Sequence, residues 1–184
     1  MQTVPIPALA QNDPANRIIC PEGCAVWADN AGRPWKIYSG GIGSCVGCMI
    51  YEFNSPAPQI YFFHFLASSN PLYNDFAANL PARVAGNMAL FRVRLYTNPL
   101  VRTLASTNRR GQIAGTLAGA ASVVNVDTAG GFSVDFSTGT FIDGGVVGGP
   151  GMGRLNNLGF PMTQFTCMSN IGGVAVAKTL PAGW

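Results

Sequence analysis

The chain has 184 residues, of which 48% are hydrophobic and only 10% are charged, and its formal net charge is +3. This composition excludes an intrinsically disordered chain, and the few, scattered basic residues exclude the basic stripe of a nucleic-acid-binding surface. No segment approaches the ~20 consecutive apolar residues that a membrane-spanning helix needs, so we expect no membrane span.

The amino terminus predicts no targeting segment. Residues 1–5 have neither the basic region nor the apolar region of a secretory signal peptide. We therefore expect the protein to be cytoplasmic in the producing cell, or to be secreted or translocated by a signal-peptide-independent route. Residues 1–16 are rich in Pro, Ala and Asn and predict a loose arm. Residues 17–184 predict a single domain, because no linker or internal repeat divides them.

Short apolar runs separated by turns predict a β-rich first half. They lie at 18–20, 25–28, 35–38, 45–53 and 59–66. The run at 45–53 is nearly continuous and bounded by Gly and Asn-Ser-Pro, which indicates a strand buried on both faces. Residues 54–58, which contain two prolines, are predicted to join it to the next strand in an antiparallel hairpin.

Residues 71–90 form the stretch that most clearly predicts a helix. Apolar residues recur there every four positions and form one face: Leu72, Phe76, Leu80, Val84 and Met88. Pro81 interrupts this face and is expected to kink or split the helix. Further strands are predicted at 89–96, 113–117, 122–126, 132–136, 141–142, 165–168 and 174–177. The whole pattern predicts an α+β domain, either a β-sandwich or a strongly bent mixed sheet with one or two flanking helices.

The glycine-rich run at 144–153 has the composition of a nucleotide-binding loop but lacks the residues that bind phosphate. It has no Gly-Lys-Ser/Thr ending, and Pro150 stands where a phosphate-binding loop needs a backbone donor. We expect a surface loop or a substrate-facing lid, and no organic cofactor.

The chain has five cysteines, at positions 20, 24, 45, 48 and 167, so a fully paired disulfide framework is excluded. Cys20 and Cys24 have the spacing of a small disulfide loop. Together with Cys45 and Cys48 they also resemble a paired-cysteine zinc site, which leaves a zinc-stabilised domain as an alternative. Against zinc, Cys45 and Cys48 lie in or beside a strand, where side chains alternate between faces.

The glycine-rich turn at 39–45, Ser-Gly-Gly-Ile-Gly-Ser-Cys, places Cys45 at the start of an apolar run, and His64, the only histidine, ends the next run. The predicted hairpin puts His64 roughly opposite Cys48, an offset of about 10 Å along the strand from Cys45. Curling of the glycine turn and a bulge would bring the pair together. The same residues also fit a buried thiol and a core histidine.

A thiol next to an imidazole is the arrangement that nucleophilic catalysis needs. A free thiol has a pKa of ~8.5 and is mostly protonated at neutral pH, so a base must activate it. A third group must orient the imidazole. The backbone amides of Ser44 and Cys45, exposed by the turn, are candidates for an oxyanion hole.

The pattern from Ser39 to Leu66 resembles the active-site segment of the CheD-type chemoreceptor glutamine deamidases. It also resembles the catalytic domains of cytotoxic necrotizing factor and the Burkholderia lethal factor. The resemblance implies that Cys45 is the nucleophile and His64 the base, and that Ser39, where the family has threonine, holds the histidine. It covers about a sixth of the chain. After His64 the sequence departs from the CheD pattern, and the more divergent toxin branch accommodates it better.

The resemblance implies a bacterial toxin or effector that converts a glutamine side chain of a partner protein to glutamate without a metal or organic cofactor. By analogy, that partner is a small GTPase, a translation factor or a chemoreceptor. The same dyad would serve a thiol protease or a transglutaminase. The remaining alternative is a non-catalytic β-rich binding module.

Overall fold

The computed structural model describes residues 17–20, 22–23, 25–29, 36–39, 41–54, 59–68, 70–84, 86–128, 130–135, 139–143, 165–171 and 174–178. The predicted arm at 1–16 and the glycine-rich run at 144–153 lie outside these residues. The described part of the chain confirms the α+β prediction, with two α-helices beside two sheets that contain both parallel and antiparallel pairs.

The elements follow the predicted hydrophobic runs closely. The strands are β1 (Arg17–Ile19), β2 (Ala25–Asp29), β3 (Lys36–Ser39), β4 (Val46–Glu52), β5 (Gln59–Phe65), β6 (Arg92–Thr97), β7 (Ser122–Asp127), β8 (Phe132–Asp135), β9 (Thr140–Asp143), β10 (Phe165–Ile171) and β11 (Val174–Lys178). The helices are α1 (Pro71–Arg83) and α2 (Leu104–Thr116). A larger sheet has the order β11-β10-β2-β5-β4-β6-β7, and a smaller one has the order β1-β3-β8-β9.

The fold has three layers, with the larger sheet in the middle. One face of this sheet packs against the smaller sheet around a buried cluster of Cys20, Ile37, Ile42, Cys45, Met49, Ile60, Phe62, Tyr96, Phe132 and Val134. The other face packs against both helices, with Cys48 and Ile50 of β4 in the second cluster. Because neighbouring side chains of a strand point to opposite faces, a residue's position along β4 decides which core it joins.

β4 and β5 form the predicted antiparallel hairpin, but in a different register. The prediction placed His64 opposite Cys48, whereas in the structure His64 lies opposite Gly47. The predicted pairing would have put Cys45 and His64 on opposite faces of the sheet, because a slip of one residue reverses every side chain. The observed register places both on the face toward the smaller sheet, and the ladder from Val46 to Glu52 has no bulge.

The helical predictions are partly wrong. α1 ends at Arg83, and Met88–Leu90 form a separate 3₁₀ turn before β6. The predicted apolar face is nevertheless correct, since Leu72, Phe76, Leu80 and Val84 are all buried against the larger sheet. The helix continues through Pro81 to Arg83.

The prediction of a strand at 113–117 is wrong, because residues 113–116 belong to α2 and Leu117 is its C-cap. That helix begins with a capping box, in which the side chain of Thr103 accepts from the amide of Ser106 and the side chain of Ser106 accepts from the amide of Thr103. Reciprocal bonds of this kind satisfy two amides that a helix start leaves unpaired. Ile113 is buried beneath the helix, which explains the apolar signal.

No helix in the described ranges combines the length and the apolar character that a membrane crossing requires.

Candidate active site

The centre of the site is a hydrogen bond between the two sheets. Ser39 ends β3 of the smaller sheet, and its Oγ lies 2.6 Å from Nδ1 of His64 in β5 of the larger sheet. The Ser39 hydroxyl also donates to the carbonyl of Cys20 at 2.7 Å. A hydroxyl has one proton, so Ser39 must accept from Nδ1–H of His64. The structure thus sets the imidazole tautomer, with its lone pair on Nε2.

His64 is fully buried, and its Nε2 makes no hydrogen bond to any residue that the structure describes. A buried polar atom without a partner is costly and therefore uncommon in folded proteins. Burial holds the pKa of His64 down to about 4, because the charged imidazolium is poorly solvated there. At neutral pH the ring is consequently uncharged, and Nε2 is available as a base.

Cys45 lies immediately before β4, on the same side of the larger sheet as His64. Its Sγ, a ring nitrogen of His64 and a carboxylate oxygen of Glu22 all lie within 4.8 Å of one another. The structure therefore brings together Ser39, Cys45 and His64, the three side chains that the sequence singled out. Their predicted roles in catalysis remain predictions.

Glu22 is the member of the group that sequence analysis missed. It occupies a turn with Gly23, whose amide donates to the carbonyl of His64 at 2.7 Å. Gly23 has a φ of 73°, a conformation that glycine adopts without strain. From the sequence, residues 20–24 were considered only as a possible disulfide loop. The position of Glu22 beside His64 depends on the pairing of β2 with β5, which the local sequence does not reveal.

The thiol is in its neutral form. The pKa of Cys45 is raised to about 12, mainly because the thiol is buried. The negative charge of Glu22 and a hydrogen bond between Cys45 and Glu22 also raise the pKa. A hydrogen bond from the backbone amide of Ala67 acts in the opposite direction and is smaller than the effect of burial. The resting pair is therefore a thiol and a neutral imidazole rather than a thiolate–imidazolium ion pair.

Phe132 forms an apolar wall of the site. Its ring stacks on Phe62 at a centroid distance of 4.7 Å and on Tyr96 at 4.5 Å. It also meets the ring of His64 edge-on at 6.2 Å. The ring occupies the space above Gly47, where a Cβ would collide with it. Gly47 is therefore required by packing next to His64, a role that sequence analysis did not assign.

The turn before Cys45 does not use the conformational freedom of its glycines in the way that the sequence predicted. Gly41 and Gly43 do not adopt the left-handed conformation, and a Cβ at either position would meet nothing. Both are exposed, as is Ser44, whereas Cys45 directly after them is buried. The amides of Ser44 and Cys45 remain the predicted oxyanion donors, with the amide of Ala67 as a further donor already at the sulfur.

The cysteines do not form the paired-cysteine zinc site considered from the sequence. Cys45 belongs to the core between the sheets, whereas Cys48 is buried on the helical side of the larger sheet. Side chains on opposite faces of one strand cannot share a metal ion. Cys20 is buried: its thiol donates to the carbonyl of Phe62 at 3.7 Å, and its own carbonyl accepts from the Ser39 hydroxyl. Cys24 lies outside the described residues.

No protein-family model matches the chain, and comparison with curated proteins finds no significant match.

Proposed function

We propose that this protein is a protein glutamine deamidase in which Cys45 is the nucleophile, His64 the general base and Ser39 the residue that orients the imidazole. The observation that carries the proposal is the hydrogen-bonded series of His64, Ser39 and the Cys20 carbonyl, which leaves Nε2 of His64 unprotonated while a ring nitrogen lies within 4.8 Å of the Cys45 thiol. The resemblance of residues 39–66 to the CheD-type deamidases supports the same assignment of roles.

In the first half of the reaction, Sγ of Cys45 attacks the carboxamide carbon of a substrate glutamine while Nε2 of His64 takes the thiol proton. Because the resting pair is uncharged, this proton transfer accompanies the attack rather than preceding it. The oxyanion develops next to the backbone amides at 44–45 and 67. His64 then gives the proton to the departing nitrogen, ammonia leaves, and a thioester to Cys45 remains.

In the second half of the reaction, a water molecule enters after ammonia has left and hydrolyses the thioester. Nε2 of His64 takes a proton from the water, whose oxygen attacks the thioester carbon, and the C–S bond breaks as the sulfur recovers a proton. The product is a glutamate side chain. Throughout, Ser39 accepts from Nδ1–H, which stabilises the transient imidazolium with a neutral partner. No metal or organic cofactor takes part in any of these steps.

The surroundings of the thiol favour a protruding side chain as substrate. Cys45 is only 5% exposed, and the exposed backbone at Gly41, Gly43 and Ser44 borders it. A thin carboxamide at the end of a flexible side chain reaches such a sulfur more readily than a peptide bond, which carries bulk on both sides. We therefore favour deamidation over proteolysis by the same dyad.

The partner in this proposal is a protein with an accessible glutamine, such as a small GTPase, a translation factor or a chemoreceptor. We propose that the protein acts as a bacterial toxin or effector, either in the producing cell's cytoplasm or after export by a signal-peptide-independent route. These finer assignments rest on the resemblance alone.

Intact-mass spectrometry of candidate partner proteins tests the function. Wild-type protein should raise a target's mass by about one dalton at a single glutamine and release ammonia, whereas Cys45→Ser should do neither. Cys48→Ser is the matched control, because Cys48 is also a buried thiol but faces the helices. Addition of a primary amine separates transglutamination from deamidation, and peptide fragments would identify a protease. Equal activity of wild type and Cys45→Ser would refute the proposal.

A further inference from the structure

We propose that Glu22, Cys45 and His64 also form a Zn²⁺ site, and that an ion bound there blocks the chemistry of the Cys45 thiol. This inference concerns regulation of the proposed active site. Its effect on turnover rests on the proposed function, but the binding of the metal does not.

The donor atoms have the types of a three-ligand zinc site and lie close to its spacing. Thiolate sulfur, imidazole nitrogen and carboxylate oxygen are the ligands that zinc prefers, and these three atoms lie within 4.8 Å of one another. In a tetrahedral site with bonds of ~2.0–2.3 Å, the donors are about 3.5 Å apart. Binding therefore requires a contraction of at most about an ångström in each separation, and the partly exposed side chain of Glu22 can move to shorten the two separations in which it takes part.

The hydrogen bonding of His64 is a separate indication of a ligand. Its Nε2 is buried and unpartnered among the described residues, while Nδ1–H is held by the Ser39 hydroxyl. A metal-bound histidine almost always has this arrangement, in which the second ring nitrogen donates to an outer-shell acceptor. Ser39 is fixed in turn by the carbonyl of Cys20. The ring therefore already has the tautomer and the orientation that a metal ligand needs.

The charges also match a divalent cation. A Cys45 thiolate and a Glu22 carboxylate together carry two negative charges, and the neutral imidazole of His64 adds none. A Zn²⁺ ion would balance them in a site that has the Phe132 ring on one side. Among the described residues, only Glu22 and the Ala67 amide shift the pKa of the Cys45 thiol besides burial, and neither is a cation.

Metal binding and catalysis would exclude each other. The ion replaces the thiol proton, which is released to solvent, and its bonds occupy both the sulfur lone pair and Nε2 of His64. A nucleophile and a base that are both bound to zinc cannot attack a carboxamide. A fourth position remains for water.

Co²⁺ is the probe for this site, because a cobalt–thiolate bond gives a charge-transfer absorption band whether or not the protein is an enzyme. We expect wild-type protein to show the band, Zn²⁺ to displace it, and metal analysis after dialysis to find about one zinc per chain. Zn²⁺ should also protect Cys45 from iodoacetamide, and a chelator should restore its alkylation.

Glu22→Gln tests the geometry in a variant that retains the thiol and the histidine. Loss of an outer-shell partner alone weakens metal sites about 10- to 100-fold, so loss of this ligand should weaken Zn²⁺ binding at least about tenfold. Glu52→Gln is the control, since Glu52 lies at the far end of β4, about 20 Å away. Cys45→Ser should abolish the charge-transfer band, and Cys48→Ser should retain it.

Absence of a Co²⁺–thiolate band, or a band that persists in Cys45→Ser, would overturn the metal site. Equal zinc affinity of Glu22→Gln and wild type would overturn the proposed ligand set. A protein that binds zinc through Cys45 but deamidates no substrate would support this inference and contradict the proposed function. A protein that deamidates a substrate but binds no zinc would support the proposed function and contradict this inference.

Discussion

The ring of Phe132 packs directly against Gly47, at a distance that leaves no room for a Cβ at that position. Gly47 lies opposite His64 in the larger sheet, and Phe132 lies opposite Ser39 in the smaller sheet. Ser39 contacts His64 across the interface, and the Phe132 ring fills the space above Gly47. The two contacts set the separation of the sheets, so we expect the Ser39–His64 hydrogen bond to depend on the absence of a side chain at position 47.

Gly47→Ala should therefore disturb the site as well as the fold. A methyl group would push Phe132 away, and overpacking of this kind costs about 1–3 kcal/mol of unfolding free energy. Denaturant unfolding and the alkylation rate of Cys45 measure the two effects. Gly43→Ala is the control, because a Cβ there meets open space. Equal stability of the two variants would show that the packing of the Phe132 ring does not require a glycine at position 47.

Ser39→Ala should impair His64 without removing it. The variant leaves Nδ1–H of His64 and the carbonyl of Cys20 buried without their partner, at a cost of about 1–3 kcal/mol in stability. Loss of tautomer control should slow turnover on the order of 10- to 100-fold, mainly in kcat. Ser39→Thr, which retains the hydroxyl, should restore most of the activity. If Ser39→Thr is as impaired as Ser39→Ala, the hydroxyl is not the functional group.

Glu22→Gln should make Cys45 more reactive. Removal of the carboxylate charge removes one of the causes that raise the thiol pKa, although burial, the larger cause, remains. Each unit by which the pKa falls increases the alkylation rate at neutral pH by about threefold, because the gain in thiolate exceeds the loss of nucleophilicity. Iodoacetamide labelling followed by peptide mapping measures it. A slower reaction in Glu22→Gln than in wild type would contradict this electrostatic assignment.

Stability should fall on acidification through the titration of His64. The pKa of His64 is lowered from 6.5 to about 4 in the folded protein, so the unfolded chain binds the proton more tightly. The stabilisation is complete above pH 6.5, is lost as the pH falls toward 4, and amounts to about 3 kcal/mol. Urea unfolding between pH 7 and pH 4 measures this loss. In His64→Gln the slope should be shallower, and identical slopes would show that His64 does not contribute.

The local sequence predicted most of the strands and all three side chains of the proposed catalytic group. Continuous apolar runs bounded by turn residues located β4 and β5, and the glycine-rich turn drew attention to Cys45. These signals are local. They predict the strands correctly because each of these strands buries its apolar side chains in the folded protein. The single histidine left no competing base.

The register of the hairpin could not be predicted in the same way. The prediction that His64 lies opposite Cys48 assumed a symmetrical loop at 54–58, and the error of one residue reversed the face of Cys45 relative to His64. Similarly, the apolar residues at 113–117 fit either a strand or a helix, and only the capping box upstream and the packing of Ile113 decide it. Glu22 was missed because its position depends on strand pairing across the chain.

The most direct test of the central claim is the dependence of Cys45 reactivity on His64. Chloroacetamide, a small carboxamide electrophile, is reacted with wild type and with His64→Gln, and each cysteine is quantified by peptide mapping. We predict that wild-type Cys45 reacts much faster than Cys48 and that His64→Gln, folded as judged by its melting transition, loses most of this rate. Reaction of Cys45 at the same rate in both proteins would show that His64 is not its base, and would contradict the proposed dyad.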